Sequence, residues 1–144
     1  MSYHIPGLLQ PVLALNGWTL IIEGWMFATR LPVYSRIKEA LNPATPRAQI
    51  DEQTPASVRY KSDNYSHLFE QPVQFYAVAL ALAIARHGED NPLDMQLAWS
   101  YVGLRVVHSL VHCTGSSVMA RFGLFLTSSA VLGAMTVRGA LLAF

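Results

Sequence analysis

The sequence predicts an all-α membrane protein, a single bundle of four hydrophobic helices running up, down, up and down. Three observations predict it. Of 144 residues, 52% are apolar and only 13% are charged, whereas a soluble domain carries about a quarter charged residues to keep its surface wet. Apolar stretches near the ~20 residues that cross ~30 Å of hydrocarbon recur along the chain, and its length holds four of them with short connections and little else. Polar residues inside these stretches fall on single helical faces, as they do when helices share an interior. The chain therefore reads as one transmembrane domain over residues 1–144.

The first span covers about residues 8–30. It is apolar from Leu8 to Thr29, with Pro11 early enough to sit in a first turn and Arg30 and Pro32 closing the far end. From Leu31 to Ala56 the sequence is polar, and Pro32, Pro43, Pro46 and Pro55 break any long helix, so one extended loop is expected there. The second span, about residues 57–86, ends at Arg86-His87-Gly88, a basic last turn followed by glycine. Only Pro72 to Ala85 is uniformly apolar, too short to cross alone. The amphipathic segment before it must complete the span with its polar face against protein, and Pro72 is expected to kink it. Gly88 to Asp94 leads to span three, about residues 95–113, and Thr114 to Val118 turn into span four, about residues 119–142. Links this short make neighbours antiparallel.

A net charge of +1, with no Lys/Arg block interleaved with aromatics, excludes nucleic acid as a partner. No Lys or Arg precedes the first apolar run and no clear cleavage site follows it, so that span is expected to stay in the mature protein. Cys113, the single cysteine, excludes an internal disulfide and reads as an inert buried thiol. No internal repeat supports an inverted-repeat transporter. One side of the bundle holds Arg30, Arg36, Lys38, Arg47, Arg59, Lys61 and Arg121, and the other only Arg86 and Arg138. This bias places the long loop and the turn between spans three and four in the cytoplasm, with both termini opposite.

At 100° per residue, Tyr101, Arg105, His108 and His112 fall within roughly a 60° arc of span three. On span two Arg59, Asp63, His67, Glu70 and Gln74 fall within roughly an 80° arc. Span one adds Asn16, Glu23 and Arg30 at heptad spacing, and Arg121 opens span four. A charge at the centre of a span costs about 2.5–3.5 kcal/mol even on lenient insertion scales, so these groups need partners. Ion pairs of Glu23 with Arg105, or of Glu70 with Arg59, would fix helix register. The span three stripe, with two imidazoles among four hydrogen-bonding groups, exceeds what packing requires and reads as a ligand site. Its arginines suit anionic groups and Glu70 suits a cationic one, so a zwitterionic, multiply charged small molecule fits. Arg121, at the mouth of the site, is placed to stabilise a thiolate. His108 and His112, at i and i+4, also have the spacing of a helical metal pair, which His67 and Glu70 could complete. No acid lies between them, however, and no nucleophile elbow surrounds Ser109, so neither a metal centre nor a serine nucleophile is assigned.

The run Leu104-Arg105-Val106-Val107-His108-Ser109-Leu110-Val111-His112 resembles the Arg-x-x-His-Ser/Thr segment of the membrane-associated proteins in eicosanoid and glutathione metabolism, the MAPEG family. His112 stands where a Tyr is common there. Arg121, sixteen residues after Arg105, falls where synthase-type members carry the arginine assigned to thiolate activation. His67-Leu68-Phe69-Glu70-Gln71-Pro72 resembles the family's Asn-x-x-Glu followed by Pro, with His67 in place of Asn and Asp63 where an Arg of the preceding run would stand. The resemblance covers essentially the whole chain. It implies a homotrimer in the bilayer, with glutathione bound between adjacent subunits near the cytoplasmic face and lipophilic substrates entering from the membrane. Carried over residue by residue, it gives Arg105 and His108 to the glutathione carboxylates, Glu70 to its amino end and Arg121 to the thiolate. His67, His112, Arg59 and Tyr101 complete the expected binding site. The activity implied is a glutathione-dependent transferase or peroxidase. A non-catalytic module whose polar interior holds the oligomer together is the alternative, and a channel or proton relay through the Glu and His groups is a third reading.

Overall fold

A computed structural model of the chain describes residues 5–115 and 117–144, the side chains of Glu39 and Leu41 excepted. Uninterrupted apolar sequence gives the longest helices. The first, α1 (Leu9–Tyr34), places Pro11 in its opening turn, where the missing N–H has no intrahelical acceptor in any case. Pro32 does not end α1 as the sequence suggests. Its fixed φ suits a helix and only one late hydrogen bond is lost. Ser35 closes the helix instead, its amide donating to the Leu31 carbonyl and its hydroxyl to the Pro32 carbonyl, each at 3.0 Å.

The polar segment that follows is not one extended loop. It holds a 3-10 turn (Lys38–Leu41) and a short helix, α2 (Arg47–Gln53), which begins directly after Pro46 and buries Ile50. The second span is two helices, α3 (Ala56–His67) and α4 (Gln71–Ala85). Pro72 sits in the first turn of α4, so it starts a new helix rather than kinking a continuous one. Between them the amides of Leu68, Phe69 and Glu70 turn back onto the carbonyls of Asn64, Ser66 and His67 at 3.1, 3.0 and 3.3 Å. The α4 stop is a Schellman turn: Gly88 N–H reaches Ala83 O at 3.1 Å and His87 N–H reaches Ile84 O at 2.9 Å, with His87 at φ 53° and Gly88 at φ 85°. Asn91 then caps α5 (Pro92–Cys113), its Oδ1 accepting from the amides of Leu93 and Asp94. The last helix is α6 (Val118–Ala143), entered through Ser117.

Among the described residues, three segments are long and apolar enough to cross a membrane: Leu9–Tyr34, Ala56–Ala85 spanning the α3–α4 break, and Val118–Ala143. The sequence leads one to expect four. The remaining helix, α5, has the length at 22 residues but carries Asp94, Tyr101, Arg105, His108 and His112, and these are all buried. It packs along α1, α3 and α6, so protein rather than lipid receives its polar side. The main core lies between α1, α4, α5 and α6, around Leu15, Phe75, Ala79, Leu82, Leu132 and Met135. The Phe75 and Tyr101 rings stack there at 4.5 Å. Large apolar side chains such as Leu20, Ile21, Ile84, Leu126 and Leu141 cover the outside, the surface a bilayer solvates.

Two polar ties fix how the helices meet. Asp94, fully buried, accepts from Arg86 Nε at 3.1 Å and from Arg138 Nε, while Arg138 also donates to Asn91 Oδ1 at 3.1 Å. This clamp joins the end of α4, the start of α5 and the end of α6. Gln71, at the head of α4, donates to Ser129 Oγ at 2.6 Å and accepts from Tyr101 OH and Ser128 Oγ, each at 3.3 Å. In hydrocarbon such groups have no water to fall back on, so each bond constrains the packing.

Candidate functional site

The site is built where the α3–α4 break, the last turns of α5 and the first turns of α6 meet. An open cleft of about 360 Å³ is lined by His67, Glu70, His108, His112, Arg121 and the apolar side chains Val118, Phe122 and Phe125. Its volume is in the range of small-molecule sites, about 300–1,000 Å³. His108 and His112 come from one face of α5, one helical turn apart, and His67 approaches them across the helix boundary. The three imidazoles form a triangle with ring centroids 5.3, 5.9 and 6.4 Å apart. Among the described residues no set of three or more His, Cys, Asp or Glu is placed to hold a metal ion. Glu70 Oε2 lies 2.7 Å from His67 Nδ1, so this carboxylate orients the ring at the rim.

Arg121 stands in the first turns of α6, where the unpaired amides of a helix N-terminus add partial positive charge to its guanidinium. Its Nε is buried without a hydrogen-bond partner, and so is His112 Nδ1. Buried polar atoms are ordinarily paired, and these two belong to residues that line one cleft, so each can still hydrogen-bond to a group that enters it.

Five of the eight residues that the sequence nominates, His67, Glu70, His108, His112 and Arg121, are brought together here. Arg105 and Tyr101 share the α5 stripe but lie behind the cleft. Arg105, 2% exposed, donates from Nε to Tyr101 OH at 3.2 Å, and its guanidinium lies over the Tyr101 and Phe125 rings at 5.6 and 5.7 Å. Arg59 lies elsewhere, in a second pocket with Arg30, Tyr34 and Arg47. The proposed register pairs do not form among the described residues. Glu23 interacts with the Tyr65 hydroxyl and Glu70 with His67. The polar stripe of span two also does not face inward. Arg59, Asp63, His67, Glu70 and Gln74 are all exposed on the single chain, whereas Lys61, Ser62, Asn64 and Leu68 are buried. Lys61 explains this reversal: its ammonium donates to Ser57 O at 2.6 Å and lies 5.1 Å from the Trp25 ring, letting a charged side chain occupy the packed face.

Sequence reasoning misses the apolar wall of the cleft. Its signal is present, because Val118, Arg121, Phe122 and Phe125 at offsets 0, 3, 4 and 7 share roughly a 100° face. The two phenylalanines can seat an apolar substrate beside the cationic group. The sequence model of the MAPEG family matches residues 8–141. No curated protein and no solved structure matches the chain.

Proposed function

The chain belongs to the MAPEG family, membrane proteins of eicosanoid and glutathione metabolism, and from that premise we propose that it is a glutathione-dependent transferase or peroxidase acting on lipophilic electrophiles. The observation that carries the reading is Arg121, a cation with an unpartnered buried Nε on an open cleft that Phe122 and Phe125 line beside it. The donor set suits glutathione. Arg121 and the imidazoles of His67, His108 and His112 offer positive or hydrogen-bonding groups to its carboxylates and sulfur, and Glu70 offers a carboxylate to its amino group. Bound there, glutathione would supply a thiol nucleophile, its proton passing to water at the open cleft and the electrophile's leaving group taking up the displaced electron pair. Arg121 and the α6 N-terminus favour the thiolate over the thiol. Phe122, Phe125 and Val118 exclude water and hold the apolar partner at the same place.

The exposed polar side running from α3 across the break into α4 supports a homotrimer. Asp63, His67, Glu70 and Gln74 belong to a membrane span yet face outward from the single chain. Hydrocarbon cannot solvate them, and a neighbouring copy does so in this reading. The Lys/Arg bias of the long loop supports a cytoplasmic position for it. A second reading, a non-catalytic membrane module, is favoured by one observation: Arg105 is committed to Tyr101 and Phe125 rather than turned to the cleft. Calorimetric titration of the detergent-solubilised protein with glutathione separates the two. Saturable heat with one site per chain or per subunit interface is expected, and no binding up to millimolar glutathione would remove the enzymatic assignment.

A further inference from the structure

The second pocket lies apart from the cleft, at the loop-side end of the bundle. It forms where the last turn of α1, the helix α2 and the first turns of α3 converge, and Arg30, Arg47 and Arg59 all line it. Two carboxylates, Asp51 and Asp63, share the lining, leaving one positive charge in excess. We propose that this pocket binds the phosphate of an anionic phospholipid headgroup. The proposal is independent of the cleft and of its ligand.

Arg30 is the fixed member. Its Nη1 donates to Ser62 Oγ at 3.0 Å and its Nη2 to Tyr34 OH, and its guanidinium lies 4.5 Å from the Tyr34 ring centroid. Both partners, Ser62 and Tyr34, are neutral, so the charge is held in place without being cancelled by them. Arg47 meets Asp51 only at 3.7 Å, with side chains 66% and 35% exposed. Such a surface pair is worth about 0–1 kcal/mol, and a phosphate competes with it readily. Guanidinium forks match phosphate oxygens in pairs. The interior is narrow, about 10 Å³, which is room for roughly one water-sized group. One phosphate oxygen can enter while the rest of the headgroup stays outside, and a whole soluble metabolite cannot.

Position points to lipid as the source. Helix α1 has 26 residues, about 39 Å at 1.5 Å per residue, against ~30 Å of hydrocarbon. Its last turn, from Arg30 to Tyr34, therefore extends into the headgroup layer. Phe27, Arg30, Leu31 and Tyr34 share roughly a 100° face of α1, and Phe27 and Leu31 are exposed. A headgroup held by Arg30 thus has apolar surface directly beneath it for the acyl chain. Basic pockets at the ends of spans bind anionic headgroups for this combination of reasons.

The test uses the full chain in nanodiscs of phosphatidylcholine alone or with phosphatidylglycerol, reading lipid retention by native mass spectrometry and the unfolding temperature. Preferential retention of phosphatidylglycerol and a higher unfolding temperature in the anionic discs are expected. Retention should fall about five-fold in Arg30→Gln and be largely restored in Arg30→Lys. Arg47→Gln, an exposed position on α2, gives the same direction of effect should Arg30→Gln fail to fold. Equal retention of the two lipids, or retention unchanged in both glutamine variants, overturns the proposal. Stabilisation by inorganic phosphate in phosphatidylcholine discs, without preference for phosphatidylglycerol, overturns the lipid source and assigns the pocket to a soluble anion.

Discussion

Replacing Arg121 by alanine is the perturbation that bears most directly on the proposed chemistry. A unit charge about 4 Å from a sulfur anion is worth about 4 kcal/mol at an effective dielectric constant of ~20. The cleft is open and the α6 N-terminus remains in the variant, so the loss is nearer the ~1.5–3 kcal/mol of a hydrogen bond to a charged group. No ion pair between Arg121 and Glu70 forms among the described residues to reduce it further. This energy corresponds to about one to two pKa units on the bound thiol. Arg121 lowers that value, so the variant should require a higher pH to reach the same thiolate fraction. At neutral pH the thiolate absorbance of the glutathione complex should fall roughly 10- to 100-fold, and conjugation with it, while calorimetry still detects binding. Arg121→Lys should recover part of the signal, because a point charge replaces the fork. An unchanged thiolate titration in Arg121→Ala would refute the reasoning and remove this residue from the mechanism.

Other substitutions separate binding from architecture. Glu70→Gln should weaken glutathione about ten-fold by calorimetry, through lost pairing with the amino group, and change the unfolding temperature little, since the pair with His67 is half-exposed. Asp94→Asn leaves Arg86 and Arg138, each about a quarter exposed, without a carboxylate. It should cost about 2–3 kcal/mol, below the ~3–5 of a fully buried pair, and thermal unfolding in detergent measures it. Tyr101→Phe deprives Arg105 Nε and Gln71 of a shared hydroxyl and should cost about 1–3 kcal/mol. Glutathione affinity should stay within about two-fold, because neither group lines the cleft. A loss of affinity larger than the loss of stability would return Tyr101 and Arg105 to the ligand.

What could be read in advance, and what could not, follows from the range over which each signal acts. The α4 stop was legible because its chemistry is local: Gly88 after Arg86 and His87 formed the expected turn, whereas Pro32, placed late in α1, was absorbed by the helix. The α5 stripe was legible because Trp99, Val107 and Leu110 make the helix's outer face apolar, which leaves one inward face to carry the hydrogen-bonding groups. The orientation of α3 was not legible. Two polar faces compete there, and the choice depends on Trp25 receiving the Lys61 ammonium, a contact between residues far apart in sequence. Pro72 illustrates a second limit, since a proline after two interior turns kinks a helix whereas the same residue in a first turn starts one. Arg59 shared its angular position with His67 and Glu70, but two turns of helix carry it about 12 Å toward the loop side.

Gln71 has a consequence for how the protein is made. Its amide nitrogen is satisfied by Ser129, and its oxygen by Tyr101 and Ser128. Synthesis delivers the N-terminal helices first, so α4 enters the bilayer carrying an amide whose partners do not yet exist. Tyr101 arrives with α5 and both serines with α6. A chain released before residue 128 would therefore keep this amide without its Ser128 and Ser129 partners in hydrocarbon, so the first four helices cannot complete their packing until α6 is in place.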